Sequence, residues 1–126
     1  MPEISNLYGN FHDWLLERII VRGSENRRHP DTLILGLFDD QEGFVSATFN
    51  GMTRLGIEGG GALNIVNCLE IVEPDADAFD LAQTLLSKSA HGERRGRYVA
   101  YLYSTVGAEI AVEFDEVTIA TEKPTP

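Results

Sequence analysis

The stretch 97-RYVAYLYSTVGAEIAVEFDEVTIA-120 decides the fold class. Arg97 to Thr105 is rich in β-formers and carries apolar residues at odd and even positions, as a strand covered on both faces does. Val106-Gly107 interrupts it as a turn. From Ala108 to Ala120 the chain alternates: Ile110, Val112 and Phe114 take one face, and Glu109, Glu113 and Asp115 the other. That period of two belongs to a half-buried strand. Val117 and Ile119 continue the apolar set after a change of phase at Asp115-Glu116, the mark of a bulge.

The same pattern runs upstream. Leu15 to Arg22, LLERIIVR, reads as a strand because Ile19, Ile20 and Val21 are β-branched. The polar run 23-GSENRRHPD-31 is a turn. Thr32 to Phe38, TLILGLF, is apolar on both faces and is a candidate buried strand. After the turn 39-DDQEG-43, Val45, Ala47 and Phe49 point one way, and Phe44, Ser46 and Thr48 the other. Asn50-Gly51 suits a two-residue type I′ turn, which predicts Met52 to Ile57 as the return strand of a hairpin. The loop 58-EGGG-61 precedes a long strand, Ala62 to Val72, with Asn64, Val66, Cys68 and Glu70 on the face opposite Leu63, Ile65, Asn67, Leu69 and Ile71.

One helix is expected, opened by 74-PDAD-77, where Asp75 or Asp77 can cap free amides and favour the positive end of the dipole. Phe79, Ala82, Leu85 and Leu86 form its apolar stripe, and it ends near Ser89. One helix cannot supply the crossovers of a parallel sheet. The expected fold is therefore mainly β (α+β): an antiparallel β-sandwich or partial barrel of about seven strands with one helix. Residues 1–121 form a single β-rich domain, and 122–126 a disordered tail.

Composition limits function. The 126 residues fit one domain. A single cysteine, Cys68, excludes a disulfide framework, and no apolar run approaches the roughly 18 residues of a membrane helix. The start, Met-Pro-Glu-Ile-Ser-Asn, is unlike a secretory signal, so a cytoplasmic location is expected. Twenty acidic residues against ten basic ones give a net charge of −10. Such a surface repels nucleic acid and anionic lipid and attracts a basic partner. No lysine or arginine occurs between Leu55 and Ser87, a span that holds Glu58, Glu70, Glu73, Asp75, Asp77 and Asp80. A second acidic group is Glu109, Glu113, Asp115 and Glu116.

Catalytic motifs are not legible. His12-Asp13 invites an acid–base reading, but neighbours on a strand point to opposite faces and would not work as a pair. Backbone bonding of both, with Phe11 and Trp14 as core anchors, is the plainer reading. Cys68 lacks nearby positive charge and reads as an inert buried thiol. His12, His29 and His91 share no metal-ligand spacing, and 73-EPDADAFD-80 lacks the glycine and terminal glutamate of a calcium loop. No catalytic residue, metal or cofactor is expected. Tyr98, Tyr101 and Tyr103 alternate in facing, and an exposed one would be a partner-binding anchor.

Three strings carry a resemblance: 11-FHDWLLERIIV-21, 47-ATFNGMTRLGIE-58 and 104-STVGAEIAVEFDEVTI-119. The central one holds Phe49, Gly51, Arg54 and Leu55, and the last holds Ser104, Gly107, Glu109 and Ile110. Together they resemble small bacterial β-rich proteins with an FHD-type N-terminal motif, similar to immunity proteins of polymorphic toxin systems. The resemblance spans about a third of the chain and brings no active site to carry over. It implies a non-enzymatic binding protein that neutralises a basic toxin through acidic surface. The expected contacts are Glu70, Glu73, Asp75, Asp77 and Asp80, with Glu113, Asp115 and Glu116 as a second patch. The alternative is a structural or assembly protein, a homodimer or larger homo-oligomer formed through an exposed sheet edge.

Overall fold

In a computed structural model, which describes residues 7–41, 43–89 and 94–122, eight strands and one α-helix follow a short N-terminal turn at Leu7–Phe11. The strands are β1 (Leu15–Arg22), β2 (Thr32–Phe38), β3 (Phe44–Asn50), β4 (Arg54–Glu58), β5 (Ile65–Ile71), β6 (Tyr98–Val106), β7 (Glu109–Phe114) and β8 (Glu116–Glu122). The helix α1 (Asp77–Leu86) lies between β5 and β6 in the chain. All strands join one antiparallel sheet in the order β4-β7-β6-β5-β1-β2-β3-β8, an open, β-rich α+β fold.

The eighth strand arises at Asp115. The phase change expected there as a bulge is a corner: β7 ends at Phe114 and β8 begins at Glu116 on the far side of the sheet. A parallel event occurs at Asn50-Gly51, where the sequence predicts a type I′ hairpin. β3 and β4 do not pair with each other; β3 pairs with β8, and β4 with β7. Gly51 has φ +69°, but Asn50 does not share the positive φ that a type I′ turn needs at both positions. The chain turns here beside Asp115, whose N–H donates to the Asn50 carbonyl at 3.0 Å. A Cβ on Gly51 would lie 2.5 Å from the Asp115 carboxylate, so glycine alone fits this approach. Arg94 ties the corner by donating to the Asp115 carboxylate at 2.8 Å and to the Gly51 carbonyl at 3.0 Å.

The corner curls the sheet around one core. Leu33, Leu35 and Leu37 of β2 and Val45, Ala47 and Phe49 of β3 face Ala100 and Leu102 of β6 and Ile110, Val112 and Phe114 of β7. The Phe49 and Phe114 rings meet edge to face at 4.9 Å, joining strands placed seventh and second in the sheet. Of the two expected architectures, this curled sheet takes the partial-barrel form. Its joint at β1/β5 is thin: Leu15 opposes Ile65, and no further β1–β5 register pair follows.

Two corrections concern β5 and α1. The expected long strand is shorter, and its register slips on both sides of Val66. The slip puts Val66 inside with Leu69, three residues on, and leaves Cys68 and Glu70 on the outer face opposite Tyr103 and Tyr101. The helix forms where expected, with Ala82, Leu85 and Leu86 buried, but Ala76 is its N-cap and no side chain caps it. Asp77 and Asp80 contribute only their charge to its first turn. At the other end of the chain, β8 runs through Glu122, so the expected tail does not include residue 122; residues 123–126 lie outside the described residues.

Helix α1 packs on the outside of β4, β6 and β7 over Val72, Val99, Tyr101 and Ala111. Its approach to β4 depends on Gly56, where a Cβ would fall 2.3 Å from the Leu85 carbonyl oxygen. Gly56→Ala is predicted to push α1 off the sheet and destabilise the fold by about 1–3 kcal/mol in urea unfolding. Unchanged stability would show that the helix does not seat this closely.

Candidate functional site

Helix α1 covers the outer face of the sheet incompletely. Between its open side and strands β5 and β6 lies a groove of about 380 Å³. Tyr101 and Tyr103 form its floor, with ring centroids 5.6 Å apart. Asp77, Ala78 and Leu81 of the helix make one wall, and Glu70 and Glu109 supply carboxylates from β5 and β7. Among the described residues no lysine or arginine lines it.

Each side chain has a local reason to be there. The register slip turns Glu70 outward beside the tyrosines. The tight β6–β7 turn at Gly107 puts Glu109 on the tyrosine-bearing face, and the Tyr101 hydroxyl donates to Glu109 Oε2 at 2.7 Å. Burial, then Glu109, pushes the Tyr101 phenol far above its ordinary value. Burial, then the neighbouring Cys68 and Glu70, raises Tyr103 as well. Both phenols therefore stay neutral around pH 7, and the groove's charge is that of its carboxylates. Leu81, 58% exposed, adds an apolar rim.

The expected contact residues divide by environment. Glu70 and Asp77 line the groove. Asp75 and Asp80 are exposed near the start of α1 without lining it, and Glu73 borders a separate cavity of about 180 Å³ with Phe79, Gln83, Arg97 and Glu113. The second patch does not form one surface. Glu113 is buried beneath α1, where Arg54 Nη2 donates to it at 2.7 Å and Thr53 Oγ1 at 2.6 Å. Asp115 is the corner residue held by Arg94, and Glu116 lies beyond it on β8, opposite Asn50. Glu109, outside the expected contacts, joins the site. Its signal was the Val106-Gly107 turn, which sets residues 109, 111 and 113 on the same face as 99, 101 and 103.

The other candidates sit apart from the groove. His12 and Asp13 are not on a strand: Asp13 has φ +65°, and the His12 Nε2 to Asp13 carboxylate distance is 3.5 Å. The expectation that they face apart thus fails, because a left-handed turn replaces the strand geometry. His12 Nδ1 lies 3.0 Å from the Asn67 carbonyl, and both side chains are mostly exposed. Tyr8, Gly9, Asn10 and Phe11 are also left-handed, and the buried Phe11 ring, stacked on Tyr8 and edge-on to Trp14, secures this turn. Burial, then Glu70, pushes the Cys68 thiol up, away from thiolate. Among the described residues no group of three or more His, Cys, Asp or Glu is placed to hold a metal ion, and no helix is long and apolar enough to cross a membrane. No family model, curated protein or solved structure matches this chain.

Burial alone would raise Glu113, but hydrogen bonds from Arg54 and Thr53 outweigh it and hold its carboxyl below the usual value. The folded-state value is the lower one, so the stabilisation is complete above the unfolded glutamate range and is lost as pH falls through the depressed value. Glu113→Gln is predicted to cost up to roughly 3–5 kcal/mol at neutral pH, because Arg54 is left buried without its counter-charge. It should also flatten the acid limb of stability against pH in urea unfolding. A variant with wild-type stability and slope would contradict this account of the pair.

Proposed function

We propose that this protein acts by binding, and that the groove beside α1 receives a cationic side chain of a basic protein partner. The observation that carries the reading is the convergence of Glu70, Asp77 and Glu109 around Tyr101 and Tyr103 in one concave site with no lysine or arginine among the described residues. Carboxylates at the rim form charge-assisted hydrogen bonds with a guanidinium or ammonium group. A tyrosine face adds a cation–π contact of about 0.5–2 kcal/mol as water is excluded. Arginine is a frequent energetic anchor at protein interfaces, which makes an arginine of the partner the favoured occupant.

The rest of the surface supports the encounter. A net charge of −10 draws a basic partner in before contact, and Asp75 and Asp80 extend the field along the helix beside the groove. Neutralisation of a basic toxin, the role implied by the resemblance to immunity proteins, is the biological form of this reading. A binding role is also consistent with a thiol kept protonated at Cys68 and a His12 engaged with the backbone on an open surface.

The immobilised protein should retain a basic partner from a lysate at low salt and release it at high salt. Glu70→Lys combined with Asp77→Lys leaves the core untouched and should slow association with that partner by about tenfold or more, with most of the difference lost at high salt. Equal retention by the double variant would place the interface elsewhere.

A further inference from the structure

Strand β1 leaves the sheet half-way along its length. It pairs with β2 as far as Arg22, but its register with β5 is confined to Leu15. From Ile19 to Arg22, no described strand lies on the side of β1 away from β2. Ile19, Ile20 and Val21 are 41%, 39% and 44% exposed, a run of large apolar side chains on both faces of an open edge. Ile19 opposes Leu35 and Val21 opposes Leu33, two residues of the inner core. The inner apolar layer thus runs out through β1 and stops with no described strand beside it.

The other two sheet edges expose less apolar surface: among the described residues Ile57, 44% exposed, is the one strongly exposed large apolar side chain of β4, and β8 has none. Ser89 Oγ accepts the Leu55 N–H of β4 at 3.2 Å, and α1 packs on that strand. β8 alternates half-buried Val117 and Ile119 with exposed Glu116, Thr118 and Ala120.

We infer that a second copy of this chain covers the β1 edge, strand to strand and antiparallel about a two-fold axis at Ile20. A two-fold axis normal to a sheet places one residue opposite its own copy. Centring on Ile20 sets Ile19 opposite Val21 of the other copy, twice, and continues the core layer across the junction. Centring on Ile19 would put Val21 opposite Glu17, and centring on Val21 would put Ile19 opposite Gly23. The chosen register opposes Arg18 and Arg22, but the Arg18 guanidinium lies 4.7 Å from the centre of the Phe44 ring, drawn inward over Gly36 and away from the edge. The junction also joins the stretch in which Arg18, Arg22, Arg27 and Arg28 outnumber Glu17 and Glu25, away from the acidic groove. A contact of one short strand is small, so the dimer is reversible and concentration-dependent.

Sedimentation of the full chain from low micromolar to near-millimolar concentration tests this. Added salt screens the opposed charges and should strengthen dimerisation, whereas it weakens the groove's hold on a basic partner, so the two readings fail separately. Ile20→Lys and Ile20→Glu, each folded by circular dichroism, should each be monomeric. Mixed together they should form a heterodimer, because Ile20 meets its own copy. A wild-type chain that stays monomeric at the highest concentration would overturn the inference, as would an Ile20→Lys dimer of unchanged strength or a mixture that does not associate.

Discussion

Two strands turn one corner together, and the fold depends on that event. At Gly51 the chain leaves β3 for β4, and at Asp115 it leaves β7 for β8, with the Asn50 carbonyl and the Asp115 N–H bonded across the bend. Any side chain at Gly51 would collide with Asp115, and Arg94 holds both. Because the two strand pairs bend in step, backbone pairing continues on either side of the corner. The sheet then curls until Phe49 meets Phe114, and a single layer of strands encloses its own core.

The outer face follows from the inner one. With Ile110, Val112 and Phe114 committed inward, β7 turns Ala111 and Glu113 outward beneath α1. Ala111 gives the helix an apolar seat, and Glu113 is kept charged there by Arg54 and Thr53. The helix covers β4, β6 and β7, and Tyr101 and Tyr103 of β6, packed along its open side, become the groove floor. The negative charge thus has distinct tasks. Glu113 and Asp115 hold the frame, whereas Glu70, Asp77 and Glu109 line a concave surface.

Much of the fold was legible because it rests on local periodicity. The alternation from Glu109 to Phe114, the apolar run at β2 and the stripe on α1 each predicted their element, since each reports which face meets the core, whereas the single strand expected through to Ala120 divides into β7 and β8. The failures share a physical cause. Asn50-Gly51 has the composition of a hairpin turn, but pairing with β7 and β8 outweighs local turn preference, and no local pattern records that competition. The slip in β5 is likewise set by its match to β6 and reverses the facing of Val66. The site was half legible: Glu70 and Asp77 stood out by charge, whereas Glu109 needed the β6–β7 register. Glu113 looked like surface because a helix distant in sequence covers it.

On the proposed reading the groove, rather than acidity in general, selects a cation. The direct measurement is a backbone-amide NMR titration of the full chain with a short arginine-rich peptide. Shifts should concentrate at Glu70, Asp77, Tyr101, Tyr103 and Glu109, saturate, and weaken with salt. Shifts spread evenly over Asp75, Asp80, Glu116 and the other exposed carboxylates would contradict it.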